Sequence, residues 1–413
     1  MVIVEFFSQS PIENMVSTLA NRPEVVVFVG DLKKMKRYHP VFLKFLEATG
    51  NAATRLEYRG IRSRNLQEIV ESLEEIVEEF PGCHFDITGG DPMSTAAVGI
   101  VCERHRDQGI ELHQYNIRTG KVYDCDLNGK TASGDIPGMS VEQNIILHGG
   151  CVVSGEVREN GTLPWDFTEE FLKDVETMWK ICRTNVNQWN RQITMIDDMG
   201  RFDRSDDPLW VRVRTAELES YLSERRVPMD LKGVLEKLER AGMLRGLERE
   251  GEYFSLGFKN DQVRRVLTKA GTILELVTCL AAKKAAQKDG KLCYHDAMTG
   301  VFIDWDGVVH EQDDQTVDTE NEIDVILMRG LVPVFISCKN GAVGEDELYK
   351  LATVAERFGG DYVKKVLVGT TLGRGGRSKQ YLLARAKDMG IQVLEGVHKM
   401  PEAEFVKQLR LLA

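Results

Sequence analysis

Glu320-Asn-Glu-Ile-Asp324-Val-Ile-Leu-Met-Arg-Gly330-Leu-Val-Pro-Val-Phe-Ile-Ser337-Cys-Lys339-Asn340 contains two short apolar runs, Val325–Met328 and Leu331–Ile336. Short apolar runs bounded by turn residues predict neighbouring strands, here joined at Arg329-Gly330. An acidic cluster opens the first strand, and a lone lysine closes the second. Paired strands hold their side chains in fixed positions, so Asp324 and Lys339 at adjoining ends can share one site. By the period-two rule Glu322 points to the same face as Asp324. The plain alternative is that these charges only solvate a sheet edge.

An upstream segment favours the shared site. Residues 262–287 carry apolar side chains at Val263, Val266, Leu267, Ala270, Ile273, Leu274, Val277 and Leu280, a stripe that predicts one helix. Glu275 sits among them, flanked by Leu274 and Leu276. A carboxylate in such surroundings needs a partner, and a metal can supply one. Hard carboxylate oxygens suit Mg²⁺ or Mn²⁺. A lysine beside such an ion can orient or deprotonate a water and help stabilise a pentavalent phosphate.

The order helix-Glu, strand-Asp, strand-x-Lys, helix resembles the PD-(D/E)xK, or restriction-endonuclease-like, nuclease domain over roughly residues 261–413. The resemblance implies that Glu275 and Asp324 are metal ligands and that Lys339 is the catalytic lysine. It also implies that the backbone carbonyl of Cys338 can ligate the metal. Ser337 departs from the pattern, standing where that family usually has Glu or Asp. A second carboxylate would then come from elsewhere, with Glu322 and Glu320 the nearest candidates.

At 413 residues the chain is long enough for two or three domains. Apolar content of 42% and charged content of 28% are those of an ordinary globular protein and exclude fibrous and disordered classes. Eight cysteines are scattered without a CxxC pair, which argues against structural zinc and a secreted disulfide framework; reduced thiols of a cytoplasmic protein fit better. Runs such as Val25–Val29 are too short to cross a bilayer, so no membrane span is expected. The net charge of -11 argues against tight binding to duplex nucleic acid. Residues 261–413 are near neutral and contain a possible basic patch in Arg374, Arg377, Lys379 and Arg385.

Residues 1–150 alternate strands with helices and predict a doubly wound α/β sheet. Three strand-to-helix elbows should lie on one rim: Phe7-Ser8-Gln9-Ser10-Pro11, Val29-Gly30-Asp31 and Thr88-Gly89-Gly90-Asp91. Paired glycines let backbone amides approach a ligand, and helix starts attract anions. No G-x-G-x-x-G follows the first strand and no P-loop occurs anywhere, which excludes the usual dinucleotide and ATP sites.

Residues 163–200 read as one long helix opened by the box-like Asp166-Phe-Thr-Glu169. Its stripe of Phe171, Val175, Met178, Trp179, Cys182, Val186, Trp189 and Ile193 would pack on the first domain or form a dimer arm. Residues 203–260 resemble a winged helix. Leu231, Val234, Leu235 and Leu238 form one helix face, Gly242 caps its end, and a hairpin turns at Glu250-Gly251. The exposed helix face mixes signs (Lys232, Glu236, Lys237, Glu239, Arg240), which favours a spacer or interaction module over a DNA reader.

A strand ending in Thr-Gly-Gly within such a sheet looks like the CARF (CRISPR-associated Rossmann fold) domain. With the nuclease-like C-terminus, the whole chain resembles the CARF-fused nucleases of type III CRISPR defence, the Can and Card group. That resemblance implies a Rossmann-like sensor over 1–150, a helical and winged-helix-like linker over 151–260, and a restriction-endonuclease-like α/β domain over 261–413. It implies a homodimer in which cyclic tetra-adenylate is the allosteric activator, with Ser8, Gln9, Gly30, Asp31, Thr88, Gly89, Gly90 and Asp91 at its site. The expected activity is Mg²⁺- or Mn²⁺-dependent cleavage of single-stranded RNA and/or DNA. The competing expectation is a ligand-responsive transcription regulator whose C-terminal domain is inactive.

Overall fold

The computed structural model describes residues 1–61, 65–124, 136–158, 161–225, 229–310, 319–373 and 375–412. The N-terminal part runs β1 (Val2–Phe6), α1 (Val16–Asn21), β2 (Val25–Gly30), α2 (Leu32–Ala48), β3 (Arg55–Gly60), α3 (Leu66–Glu79), β4 (His84–Asp86), α4 (Pro92–Arg104), β5 (Glu111–Asn116) and β6 (Lys121–Asp124). Valine-rich β1 and β2 are buried along nearly their whole length, as strands covered on both faces must be. The sheet order is β3-β2-β1-β4-β5-β6, parallel except for β6, which runs antiparallel to β5. This is the doubly wound sheet expected from the sequence. Strand order reverses at β1, so the crevice between the loops after β1 and β4 is the topological switch point.

The C-terminal sheet has the order β15-β14-β13-β12-β11-β7. Its outer strand β7 (Cys151–Val152) follows the short helix α5 (Val141–Leu147), so a piece that the sequence places in the linker is an edge of this sheet. β11 (Asp296–Asp304), β12 (Glu320–Arg329) and β13 (Val332–Lys339) are antiparallel, while β14 (Lys364–Gly369) and β15 (Ile391–Glu395) continue parallel to β13. The β12–β13 hairpin turns at Gly330 with φ 58°, a left-handed conformation that favours glycine. Ladder pairing in this hairpin ends at Val325–Ile336, just before Asp324 and Ser337.

Between the sheets lies a module of α6 (Glu169–Thr184), α7 (Val186–Gly200), β8 (Trp210–Arg214), α8 (Thr215–Glu224), α9 (Val234–Arg240), β9 (Leu244–Glu250) and β10 (Tyr253–Phe258). From α7 to β10 it has the winged-helix order, with a three-stranded sheet β8-β10-β9. The long helix predicted over 163–200 is two helices. Asn185 breaks it with non-helical backbone (φ -155°, ψ 83°), and its side chain accepts the Gln188 amide to start α7. The Asp166–Glu169 box does not form; Thr168 caps α6 by accepting from the Phe171 amide. Nor does the stripe pack on the first domain: Phe171, Met178 and Trp189 join the core of the middle module.

The predicted helix over 262–287 is also divided, into α10 (Asp261–Leu267) and α11 (Thr272–Lys284). α11 and α14 (Glu402–Leu412) cover one face of the C-terminal sheet, with Leu274, Val325, Val334 and Phe405 in one core. α12 (Glu345–Gly359) and α13 (Gly376–Asp388) cover the other. That second core is continuous with the first domain, running from Phe28 and Phe42 through Ile145 to Phe335 and Phe358. Polar contacts cross the same boundary: the Asn144 side chain donates to the Phe358 carbonyl (2.7 Å) and Tyr362 donates to Glu13 (2.5 Å).

Candidate active site

Four predicted residues converge at the end of the β12–β13 hairpin. Asp324 accepts from the Cys338 amide at 2.6 Å and from the Ser337 hydroxyl at 3.2 Å, and the Lys339 Nζ lies 3.7 Å away. Ser337 therefore positions the aspartate through a hydrogen bond. Glu275, 4% exposed, projects from the first turn of α11 toward the same point. Glu322, two residues before Asp324, lies on the same side as expected. Glu320 is elsewhere: Arg158 holds its carboxylate and also donates to the His310 carbonyl.

Two lysines balance these acids. Lys269, in the break between α10 and α11, contacts Glu322 and lies 3.8 Å from Glu275. Lys339 pairs with Glu347 of α12 at 3.0 Å. Burial pushes the Glu275 carboxyl up to about 8, against the pull of Lys269. Burial also raises Asp324, opposed by Lys339 and the Cys338 amide. For Lys339, burial lowers the amine, but Asp324 and Glu347 outweigh it and hold the ammonium above its ordinary value. Lys269 is held up in the same way, burial being outweighed by Glu275 and Glu322. Both carboxylates thus favour the ammonium form of Lys339, the form that orients a water beside Asp324.

A cavity of about 400 Å³ opens onto Glu275, Glu322, Asp324, Cys338 and Lys339, and α7 contributes Asn190 and Thr194 to its wall. A second hollow of about 280 Å³ lies beyond Asp324 and is lined by Ser337, Lys339, Glu347 and Lys350. Glu275, Glu322 and Asp324 give the cavity an all-oxygen donor set, and a divalent ion there would offset the charge that the buried Glu275 takes on when it ionises. Such a set fits Mg²⁺ or Mn²⁺. Lys269, Glu347 and Asn190 escaped the sequence reading. Gly271 and Thr268 mark the break that exposes Lys269, but only the fold brings α7 and α12 to the hairpin end.

At the first domain's switch point the three predicted elbows also meet. A Cβ on Gly89 would stand 2.9 Å from the Phe6 carbonyl oxygen and 3.1 Å from Ser8 Cβ, and one on Gly30 would stand 3.4 Å from Phe7 Cβ. Most side chains here are already engaged. Asp31 caps α2 through the Lys33 and Lys34 amides, and Asp91 caps α4 through the Met93 and Ser94 amides. Ser8 donates to Glu13 at 2.6 Å. Thr88 donates to Asp86 and accepts from the Tyr115 amide. Gln9 is exposed, and Gly90 adopts φ 96°. Of the basic patch proposed from sequence, Arg374 lies outside the described residues and Lys379 pairs with Glu395.

No protein-family model matches this chain, and no curated protein matches it. Among solved structures it is similar to protein VC1899 from Vibrio cholerae, with a TM-score of 0.70 and 16% identity over 99% of this chain and 96% of that one. It is also similar to Can2 from Sulfobacillus thermosulfidooxidans, solved in complex with cyclic tetra-adenylate, with a TM-score of 0.61 and 15% identity over 99% and 97% of the two chains. The likeness thus runs the full length of both relatives. The resemblance to the Can and Card group that the sequence carries holds for the fold of the whole chain, from the Rossmann-like sheet to the C-terminal α/β domain.

Proposed function

We propose that this protein is a nuclease gated by a cyclic oligoadenylate, cleaving single-stranded RNA and/or DNA with Mg²⁺ or Mn²⁺ in type III CRISPR defence. One observation carries the reading: Glu275, Glu322, Asp324 and Lys339 converge at the hairpin end of a chain that has the whole-chain fold of Can2. Glu275, Asp324 and Glu322 would hold the ion, helped by the Cys338 carbonyl. Such an ion polarises a phosphoryl oxygen and acidifies a bound water. The protein's own share is positional and electrostatic. Ser337 and the Cys338 amide fix the Asp324 carboxylate, Lys339 orients water and offsets charge developing on phosphate, and Glu347 holds Lys339 in place.

Can2 was solved with cyclic tetra-adenylate, and the switch-point crevice is where an α/β sheet takes such a ligand. Ser8, Gln9, Gly30, Asp31, Thr88, Gly89, Gly90 and Asp91 would frame it in a homodimer. The caps on α2 and α4 recast two of these roles. Asp31 and Asp91 shape the crevice, while backbone amides and Gln9 are left to meet the ligand. The continuous core through α5 joins the first domain to the C-terminal sheet and is the connection through which a change at the crevice would reach the hairpin end. The ligand must favour the active arrangement over the resting one for gating to occur.

The regulator reading rests on Ser337, which supplies no carboxylate. A Mn²⁺-dependent cleavage assay on single-stranded RNA and on plasmid DNA, with and without cyclic tetra-adenylate, separates the two. Activator-dependent cutting that Asp324→Asn abolishes supports the nuclease. Silence on every substrate, with sequence-specific duplex binding, would establish the regulator.

A further inference from the structure

β4 and β5 run parallel with His84 opposite Glu111 and Asp86 opposite His113. By the two-residue period of a strand, His84, Glu111 and His113 all project from one face of the sheet. His84 opens its strand, so this trio sits toward the end of the sheet opposite the Thr88–Asp91 elbow. Three of their donor atoms form a nearly equilateral triangle. His84 Nδ1 and His113 Nε2 are 3.3 Å apart, Glu111 Oε2 is 3.3 Å from the first and 3.2 Å from the second. The two imidazoles stack with centroids 5.5 Å apart and planes 17° from parallel.

With Glu111 ionised, no arrangement of protons turns all three contacts of this triangle into hydrogen bonds. The carboxylate only accepts, so each imidazole nitrogen must carry a hydrogen to bond it. The two nitrogens would then point hydrogens at each other across 3.3 Å. Removing either hydrogen sets a lone pair against the carboxylate. A single cation in the centre turns all three contacts favourable at once. The size also fits: metal bonds of roughly 2.0–2.1 Å in tetrahedral geometry separate ligand atoms by about 3.3 Å. The other ring nitrogen of His113 is buried without a partner among the described residues, so the triangle itself is what orients that ring.

We propose that His84, Glu111 and His113 form a binding site for a late first-row divalent transition ion, of which Zn²⁺ is the type, in the sensor domain. Two imidazoles and one carboxylate select zinc and its neighbours over Mg²⁺ and Ca²⁺, whereas the all-oxygen cluster around Asp324 selects the reverse. The Glu111 side chain is about half exposed (54%), which leaves a fourth position open to solvent. Bound there, the ion ties β4 to β5 and so stiffens the strand that ends in the Thr88-Gly89-Gly90 elbow.

The test is a Zn²⁺ titration by calorimetry on the full chain carrying Glu275→Gln and Asp324→Asn, so that the second cluster is disabled. Co²⁺ provides an independent reading through the visible absorption of a four-coordinate site. One equivalent of Zn²⁺ should bind, unaffected by excess Mg²⁺. His84→Ala with His113→Ala should weaken it by more than about 100-fold, since even an outer-shell change at a zinc site costs roughly 10–100-fold. Glu111→Gln, at a half-exposed position, gives a second variant should the double alanine fail to fold, and it should both weaken Zn²⁺ and change the Co²⁺ spectrum. Zinc binding that survives these substitutions, or that vanishes with Glu275→Gln and Asp324→Asn alone, overturns the proposal. So does the lack of any Co²⁺ absorption.

Discussion

Both six-stranded sheets of this protein gather polar residues at one end, yet they use them in opposite ways. At the end of β12 and β13 the side chains face each other: three carboxylates and two lysines crowd one cavity, and burial drives Glu275 far from its ordinary ionisation. At the switch point after β1 and β4 most polar side chains are spent on local structure. Asp31 and Asp91 cap helices, Ser8 and Thr88 bond to Glu13 and Asp86, and Gln9 is left exposed beside the main chain. The first arrangement concentrates charge, and the second shapes a surface. Substitutions at the two ends should therefore fail differently, one in chemistry and the other in geometry.

The largest expected effect is at the charged end. Asp324→Asn keeps the shape of the side chain but halves its capacity to bind a cation and weakens its grip on Lys339. Cleavage should fall by about 100-fold or more, the scale of losing one preorganised electrostatic contact. Activator affinity, measured by calorimetry, should be unchanged. A mutant that still cuts at the parent rate would remove Asp324 from the mechanism and dissolve the contrast between the two ends.

Gly90→Ala is the matching test at the other end. Gly90 lies at φ 96°, and an added Cβ would stand 2.9 Å from Phe6 Cβ. Left-handed strain in a non-glycine residue costs roughly 1–3 kcal/mol. The variant should melt at a lower temperature and bind cyclic tetra-adenylate poorly. Its activator-independent metal binding, followed with Mn²⁺, should be intact. Loss of metal binding as well would mean that the two ends are not separable.

The Glu275 carboxyl gives a pH dependence with a definite sign. Its folded value, about 8, lies above the ordinary 4.5, so its contribution to stability is fully present below about pH 4.5. That contribution is lost as pH rises through about 8, because the buried carboxylate must then carry charge. Metal binding needs that charge and releases the proton. Without metal the protein should become less stable from pH 5 to pH 8, whereas Mn²⁺ affinity should rise over the same interval. Glu275→Gln should flatten both curves; a variant that keeps the full pH slope would assign it to another group.

How far these ends were legible in the sequence follows from the range of the contacts. The hairpin, Asp324 and Lys339 could be read because strand period and turn chemistry are local. The three elbows could be read for the same reason. The two helix breaks could not, since the apolar stripe runs through Asn185 and through Thr268–Gly271 with little change of phase. Asn185 followed by Gln188 was the available signal for the first break, and Gly271 for the second. Lys269 and Glu347 depend on elements far apart in the chain, and Asp91, which the sequence places at the ligand site, also caps α4 through its amides.

Asp91 also gives the smallest and most discriminating effect. If its carboxylate serves only the Met93 and Ser94 amides, Asp91→Asn should retain the cap and leave stability within a few tenths of a kcal/mol. Asp91→Ala should lose the cap and cost about 1 kcal/mol, read as a lower thermal midpoint. Activator affinity should then follow stability: unchanged in Asp91→Asn and reduced only slightly in Asp91→Ala. The contrast sharpens if both variants behave this way, because the crevice would then recognise its ligand through main chain that the aspartate holds in place. It breaks if Asp91→Asn weakens the activator strongly while the melting curve stays put, since only a direct contact to the ligand separates those two readings.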